Sequence, residues 1–209
     1  LLDVLSNGRV NWGAGSGFDA TEFRAFGVDR DQKYPRFREN VDIVLSAWKT
    51  DKLTYHGEFH HYEDIEVLPK PLQDPMPVWM AASSTEALRW AGEKGFSIMM
   101  DPHSSMQDIV TKKQTYDTAL RENGFDPAGR DIPVARLLAS APSDEQARRV
   151  AESGAQWTTQ SYVKKPFGQE EDGVARDPVQ RYVEDVIIWG SPERVADVLL
   201  EAEEGQQLN

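Results

Sequence analysis

The feature that most constrains this chain is the alternation of short apolar runs with longer amphipathic stretches. Four runs read as buried strands: Val10–Gly13, Pro77–Ala82, Phe96–Met100 and Ile132–Ala141. Elsewhere the apolar residues fall at helical spacing. Phe37, Val41, Val44, Leu45 and Trp48 share one helical face, and Ala87, Leu88 and Ala91 share another that closes at Lys94-Gly95. Ile109, Tyr116 and Leu120 mark a third helix ending near Asn123-Gly124, and Ala147, Val150 and Ala151 a fourth. Val195, Val198, Leu199 and Ala202 mark a last helix, opened by Ser191-Pro192. This alternation predicts an α/β fold, a parallel sheet or barrel with right-handed crossovers. Two stretches stand outside it. Tyr55–Val67 carries strand-like aromatic alternation around Gly57 and is expected to form a hairpin-like excursion. Lys164–Asp177 is rich in Gly, Glu and Lys and has no periodicity, so it is expected to be a long loop and a candidate lid.

Two strand ends carry candidate binding residues. The first run breaks into Gly13, Gly15, Ser16 and Gly17 before an acidic segment restarts at Asp19. Glycines between a strand and a helix let backbone N–H groups approach a phosphate. A plain tight turn explains the same residues, and the pattern alone leaves both readings open. The spacing is not a dinucleotide-binding fingerprint, because the third glycine is missing at the required position. The second run passes from Trp79-Met80-Ala81-Ala82 into Ser83, Ser84 and Thr85 at a helix start. Hydroxyls, N–H groups and the positive end of the helix dipole together suit an anion. Here too a simpler reading exists: Ser83 and Glu86 match a capping box, which needs no ligand. Taken together, the two strand ends suggest a phosphate held by neutral donors.

The remaining candidates are weaker. His56, His60 and His61 lie in the hairpin-like segment, and on an extended strand His56 and His60 are roughly 13 Å apart, too far to share a metal. His103 follows Asp101-Pro102 at the end of the third strand, an edge where barrel proteins place ligands. Asp101 suits a helix cap or a supporting role. Trp12 and Trp79 each lie inside a strand, where one of them can stack on a ring, although most buried tryptophans are core.

Composition narrows the partners. A formal charge of −12 argues against nucleic acid and anionic membrane surfaces, which need a basic face. With no cysteine in 209 residues there are no disulfides, thiolate metal sites or cysteine nucleophile. No apolar run is long enough to span a membrane, and Leu1–Val10 lacks the pattern of a signal peptide, which fits a cytoplasmic protein. Leu1–Gly8 reads as the end of an amphipathic helix stopped at Asn7-Gly8.

The segment NGRVNWGAGSGFDATEFRAFGVD resembles the region around the fourth strand of the bacterial luciferase-like monooxygenases. The order that follows is also similar: YHGEFHHYEDIEVLPKPLQDP, then PVWMAASSTEALRWAGEKG, and finally GSPERVADVLLEAEE. The resemblance implies a single domain over residues 1–209, a (β/α)8 TIM barrel present in part. It would be incomplete at both ends, with roughly strands four to seven. It implies reduced FMN as cofactor, supplied by a flavin reductase, with the deazaflavin F420 as the alternative of another branch. The reaction implied is oxidation of a small organic substrate with O2; a non-catalytic flavin-binding relative is the further alternative. Relatives are usually homo-oligomers. The phosphate site of FMN-using relatives falls on Ser16, Gly17 and Phe18 and on Ser83, Ser84 and Thr85. The luciferase α subunit carries an arginine at the position of Ser16 and a cysteine at that of Gly15, so a cationic clamp is absent here. No catalytic acid or base transfers onto this chain, and no metal is implied.

Overall fold

The computed structural model describes residues 1–161 and 177–204. In chain order the elements are α1 (Leu2–Leu5), β1 (Trp12–Ala14), α2 (Ala20–Ala25), a 3-10 turn (Arg30–Gln32), α3 (Lys33–Lys49), β2 (Lys52–His56), β3 (His61–Glu66) and β4 (Val78–Ala81). Then come α4 (Thr85–Lys94), β5 (Ser97–Met99), α5 (Met106–Glu122), β6 (Leu137–Ser140), α6 (Asp144–Ser161), α7 (Pro178–Asp185), β7 (Ile187–Gly190) and α8 (Pro192–Glu204). They divide into two compact units, residues 1–81 with 96–98, and residues 82–95 with 99–209.

In the first unit β1 and β4 pair in parallel, Trp12 against Val78 and Ala14 against Met80, and β5 continues the sheet beyond β4. Directly paired residues of parallel strands share a face. Val78, Met80 and Ala14 are buried, and Trp12 on that face meets Trp48 of α3 edge-on at 5.0 Å. The expected excursion is an antiparallel hairpin, β2 against β3, with His56 opposite His61. Its tip is held by one carboxylate. Glu39, buried on α3, accepts N–H bonds from Glu58 at 2.8 Å, Phe59 at 3.1 Å and His60 at 2.7 Å, and it contacts His60 Nδ1 at 2.9 Å. A side chain at Gly57 would begin 2.4 Å from the Glu39 carboxyl carbon, so only glycine fits there. Asp3 does similar work for the other end of the unit, accepting from Leu72 N, Gln73 N and Gln73 Nε2. The stop at Asn7-Gly8 is present, both residues at positive φ.

In the second unit α4 ends as the sequence predicts, at a left-handed Gly95. Its start differs by one residue. Ser84, not Ser83, is the N-cap, accepting from Ala87 N at 3.2 Å, so the expected Ser83/Glu86 capping box is not formed. A capping box does occur at Ser105/Asp108, opening α5. Helices α4 and α5 pack at close range, because Gly92 leaves room for Ala119. The run Ile132–Ala141 contributes an isolated parallel bridge, Met100 to Val134, before β6. A second difference is β7, which pairs in parallel with β6, Leu137 against Ile187 through Ser140 against Gly190. The expectation of four strands, the last of the barrel lacking, is corrected to this extent: a further parallel strand precedes the terminal helix. Its apolar run is too short for periodicity to separate it from the end of α7. Ala139, Ala151, Ala155, Tyr182, Val183, Val186 and Ile187 form the core beneath β6 and β7. Of the candidate lid Lys164–Asp177 only Asp177 is described, where it caps α7 through Val179 N; the rest lies outside the described residues.

Candidate functional site

The carboxyl ends of β1 and β4 lie side by side, the edge at which parallel α/β proteins place ligands. Beyond β1, Ser16 is partly buried, while Gly17 and Phe18 are exposed, Phe18 at 67 %. Gly17 adopts φ +73, a conformation that favours glycine, and a side chain at Gly13 or Gly15 would meet nothing within 4 Å. The backbone at this strand end is therefore open to approach. Of the two candidate tryptophans, Trp12 is spent on packing against Trp48. Trp79 pairs with Gly13 on the opposite face, is half-buried, and donates from Nε1 to Asn11 Oδ1 at 3.2 Å. The missing side chain at Gly13 leaves space beside its ring.

At the start of α4 Ser83 and Thr85 are exposed and Ser84 is partly buried. The Ser84 oxygen accepts from a backbone N–H, and this leaves its own proton to donate. These donors fit the phosphate of a flavin: three hydroxyls and the positive end of a ten-residue helix. Glu86 in the first turn competes with an anion for the same dipole.

A second polar constellation lies at the carboxyl end of β5. Asp101 accepts from His103 N, Ser104 Oγ and Lys112 Nζ, the last at 2.7 Å. His103 Nδ1 is hydrogen-bonded to the hydroxyl of Tyr182 on α7. Arg136, just before β6, donates to the Ser104 carbonyl at 2.5 Å and to the Val186 carbonyl at 2.7 Å. It thus ties the β5 loop to the end of α7, where a cation suits the helix dipole. Burial raises the Asp101 carboxyl, but the Lys112 ammonium, the Ser104 hydroxyl and the His103 N–H outweigh it and hold it below the usual range. Burial pushes the His103 imidazole down, against the pull of Asp101. Burial, then the Asp101 charge, push the Tyr182 phenol up to about 12, with Arg136 opposing. At neutral pH the His103–Tyr182 pair is therefore uncharged. Sequence reasoning singled out Asp101 and His103 but missed Lys112, Arg136 and Tyr182. The available signal was Arg136, a lone charge inside the apolar run Ile132–Ala141.

The other three histidines are accounted for within the hairpin. His60 is bound to Glu39, His56 meets Glu63 at 3.2 Å, and His61 packs against His56. Among the described residues no helix is long and apolar enough to cross a membrane.

The model of one protein family, luciferase-like monooxygenase, matches residues 1–206. The chain belongs to the luciferase-like monooxygenase family. An FMNH2-dependent dimethylsulfone monooxygenase of Pseudomonas putida is 33% identical over 152 residues, covering 71% of this chain and 41% of its own length. An F420-dependent glucose-6-phosphate dehydrogenase of Amycolatopsis mediterranei is 30% identical over 114 residues, 53% of this chain and 34% of its own length. Among solved structures, monooxygenase RslO1 from Streptomyces bottropensis superposes with a TM-score of 0.73 at 24% identity, over 97% of this chain and 60% of that one. The chain thus covers less than two thirds of each of these proteins. The fold class expected from the sequence, an α/β barrel of the luciferase-like kind carried in part, is borne out.

Proposed function

We propose that the protein is a flavin-dependent monooxygenase that uses reduced FMN and O2 to oxidise a small organic substrate. Family membership and the Pseudomonas putida relative support the class, and the observation that carries the cofactor assignment is the donor set at the start of α4. Bound FMN would supply the electrons that activate O2. Ser83, Ser84 and Thr85 would donate to its phosphate, and the family resemblance assigns Ser16, Gly17 and Phe18 to the same cofactor. Phosphate binding here relies on neutral donors, so affinity depends on several hydrogen bonds rather than one ion pair. Trp79 and the open space at Gly13 form an apolar surface from which water is excluded when a ring lies against it. A flavin reductase is the partner that delivers the reduced cofactor, and the full-length protein acts as a homo-oligomer in the cytoplasm.

The Amycolatopsis mediterranei relative favours a second reading, hydride transfer with F420 and no oxygen. Titration of the full-length protein with each cofactor separates the two. FMN is expected to bind and F420 to bind weakly; tight F420 binding with none for FMN would reverse the assignment. Thr85→Ala and Ser83→Ala are each expected to weaken FMN binding by about tenfold, the loss of one charge-assisted hydrogen bond. Reduced FMN consumption with no product from aldehyde, ketone and sulfone panels would favour a non-catalytic flavin-binding protein.

A further inference from the structure

His56 and His61 face each other across the β2–β3 hairpin, and Glu63 follows His61 on the same face of β3. Gly57 donates to the His60 carbonyl at 2.9 Å, so the His56/His61 pair beyond it is of the non-hydrogen-bonded kind, in which side chains come closest. Their ring centroids are 6.0 Å apart, and His56 Nε2 is 3.2 Å from Glu63 Oε1. The backbone beneath them is fixed by Glu39, which gathers the N–H groups of Glu58, Phe59 and His60. The neighbouring groups are already committed: His60 to Glu39, and Asp64 to Lys52 at 2.7 Å. The His61 ring makes no hydrogen bond or ion pair among the described residues.

We propose that His56, His61 and Glu63 form a surface site for a late first-row divalent cation such as Zn2+. Two imidazoles and a carboxylate are donors that such ions take, whereas Mg2+ and Ca2+ prefer oxygen alone. As the side chains stand, no group of three such ligands is already closed around one point among the described residues. The movement needed is small. Two ligand atoms on a tetrahedral zinc ion are roughly 3.4 Å apart, close to the present His56–Glu63 distance, and two imidazoles bound to it have centroids roughly 5 Å apart. The rings must therefore approach by about 1 Å. Rotation about side-chain bonds supplies this, because the His56 and Glu63 side chains are 60% and 71% exposed and His61 is exposed as well. A net charge of −12 favours the approach of a cation. Three protein ligands leave one position to water, and the ion ties β2 to β3 just outside the turn. The site uses none of the strand-end donors, so it is independent of the monooxygenase reading.

Titration of the full-length, untagged protein with ZnCl2, and in parallel with MgCl2, tests the site without any flavin. Zinc is expected to bind and to shift the imidazole nitrogens of His56 and His61, but not those of His60, in 15N-histidine NMR. Magnesium is expected to leave all of them unchanged. With free zinc at about ten times its dissociation constant, amide exchange in β2 and β3 should slow about tenfold, because opening the hairpin must first release the ion. His56→Ala and His61→Ala are each expected to lose at least about tenfold in zinc affinity, since even residues behind metal ligands cost that much. Glu63→Gln, which keeps the shape and removes the charge, should weaken binding too. All three positions are exposed, so the variants should keep the wild-type urea midpoint when zinc is left out. No zinc binding up to millimolar concentration, or shifts confined to other histidines, overturns the proposal on the wild-type protein alone. Equal zinc affinity in His61→Ala and wild type overturns it as well.

Discussion

Replacing Glu39 with alanine is expected to destabilise the first unit by roughly 3 kcal/mol, because buried donors left without an acceptor cost about 1–3 kcal/mol each. Three backbone N–H groups, of Glu58, Phe59 and His60, converge on this one carboxylate together with the His60 ring. Water reaches part of the hairpin tip and reduces the sum. The loss is still a large share of the ~5–15 kcal/mol that holds an ordinary domain together. Glu39→Gln should fall between, since it retains one acceptor oxygen but turns an NH2 group toward other donors. The check is the urea midpoint combined with hydrogen exchange at residues 58–60; unchanged protection there would show that the tip does not depend on Glu39. Acid should have a related effect. Burial raises the Glu39 carboxyl, but the N–H of Phe59, the His60 ring and the remaining N–H groups hold it below its ordinary value of 4.5. A carboxyl depressed in the native state contributes its full stabilisation above that ordinary value and loses it as pH falls through the lower native one. The hairpin tip should therefore open only below about pH 4.5, and wild type and Glu39→Ala should converge in stability there.

Gly92→Leu is expected to be as damaging for the second unit, at about 3 kcal/mol, the upper range for overpacking a filled core. A Cβ at this position would lie 2.5 Å from Ala119 Cβ and 3.0 Å from the Leu120 backbone nitrogen. The neighbours cannot give way easily, because Leu88, Ala91 and Leu120 around this contact are at most 1% exposed. The two helices would have to separate, and their burial would be lost along with the close approach. Gly154→Ala provides the contrast. Its Cβ would meet nothing within 4 Å on α6, so the change should add up to about 1 kcal/mol through helix propensity. Thermal melts of both variants beside wild type test the pair. A Gly92→Leu protein that melts with wild type would mean that α4 and α5 do not pack at this distance in solution.

The elements that sequence reasoning found are those whose pattern repeats or whose ends are punctuated. Helix α3 carries five apolar residues on one face, and α4 and α5 close on Gly95 and Asn123-Gly124. The elements missed or shifted lack that support. Strand β7 has four residues, and only its pairing with β6 distinguishes it from a helix end. The N-cap of α4 moved from Ser83 to Ser84 because two adjacent serines offer the same chemistry and backbone geometry chooses between them. The strand-end donors were legible because they are consecutive in sequence. The cluster of Asp101, His103, Lys112, Arg136 and Tyr182 was not, because its members come from four elements and only tertiary folding brings them together. Trp79 and Trp12 were equivalent in the sequence; strand register separated them, placing one against Trp48 and the other beside Gly13.

The Glu39 contact also bears on the order in which the first unit forms. The residues it joins are 19 to 21 positions apart, whereas Asp3 reaches residues 69 and 70 positions further along. Closing a short loop costs less chain entropy than closing a long one, and contacts near in sequence form early. Helix α3 and its hairpin therefore constitute a module that can assemble as soon as residue 66 has been made. The Asp3 contact must wait until the chain has reached Gln73. On this account the turn at residues 57–60 is an early folding nucleus, and substitutions at Glu39 should slow refolding, while those at Asp3 should mainly hasten unfolding.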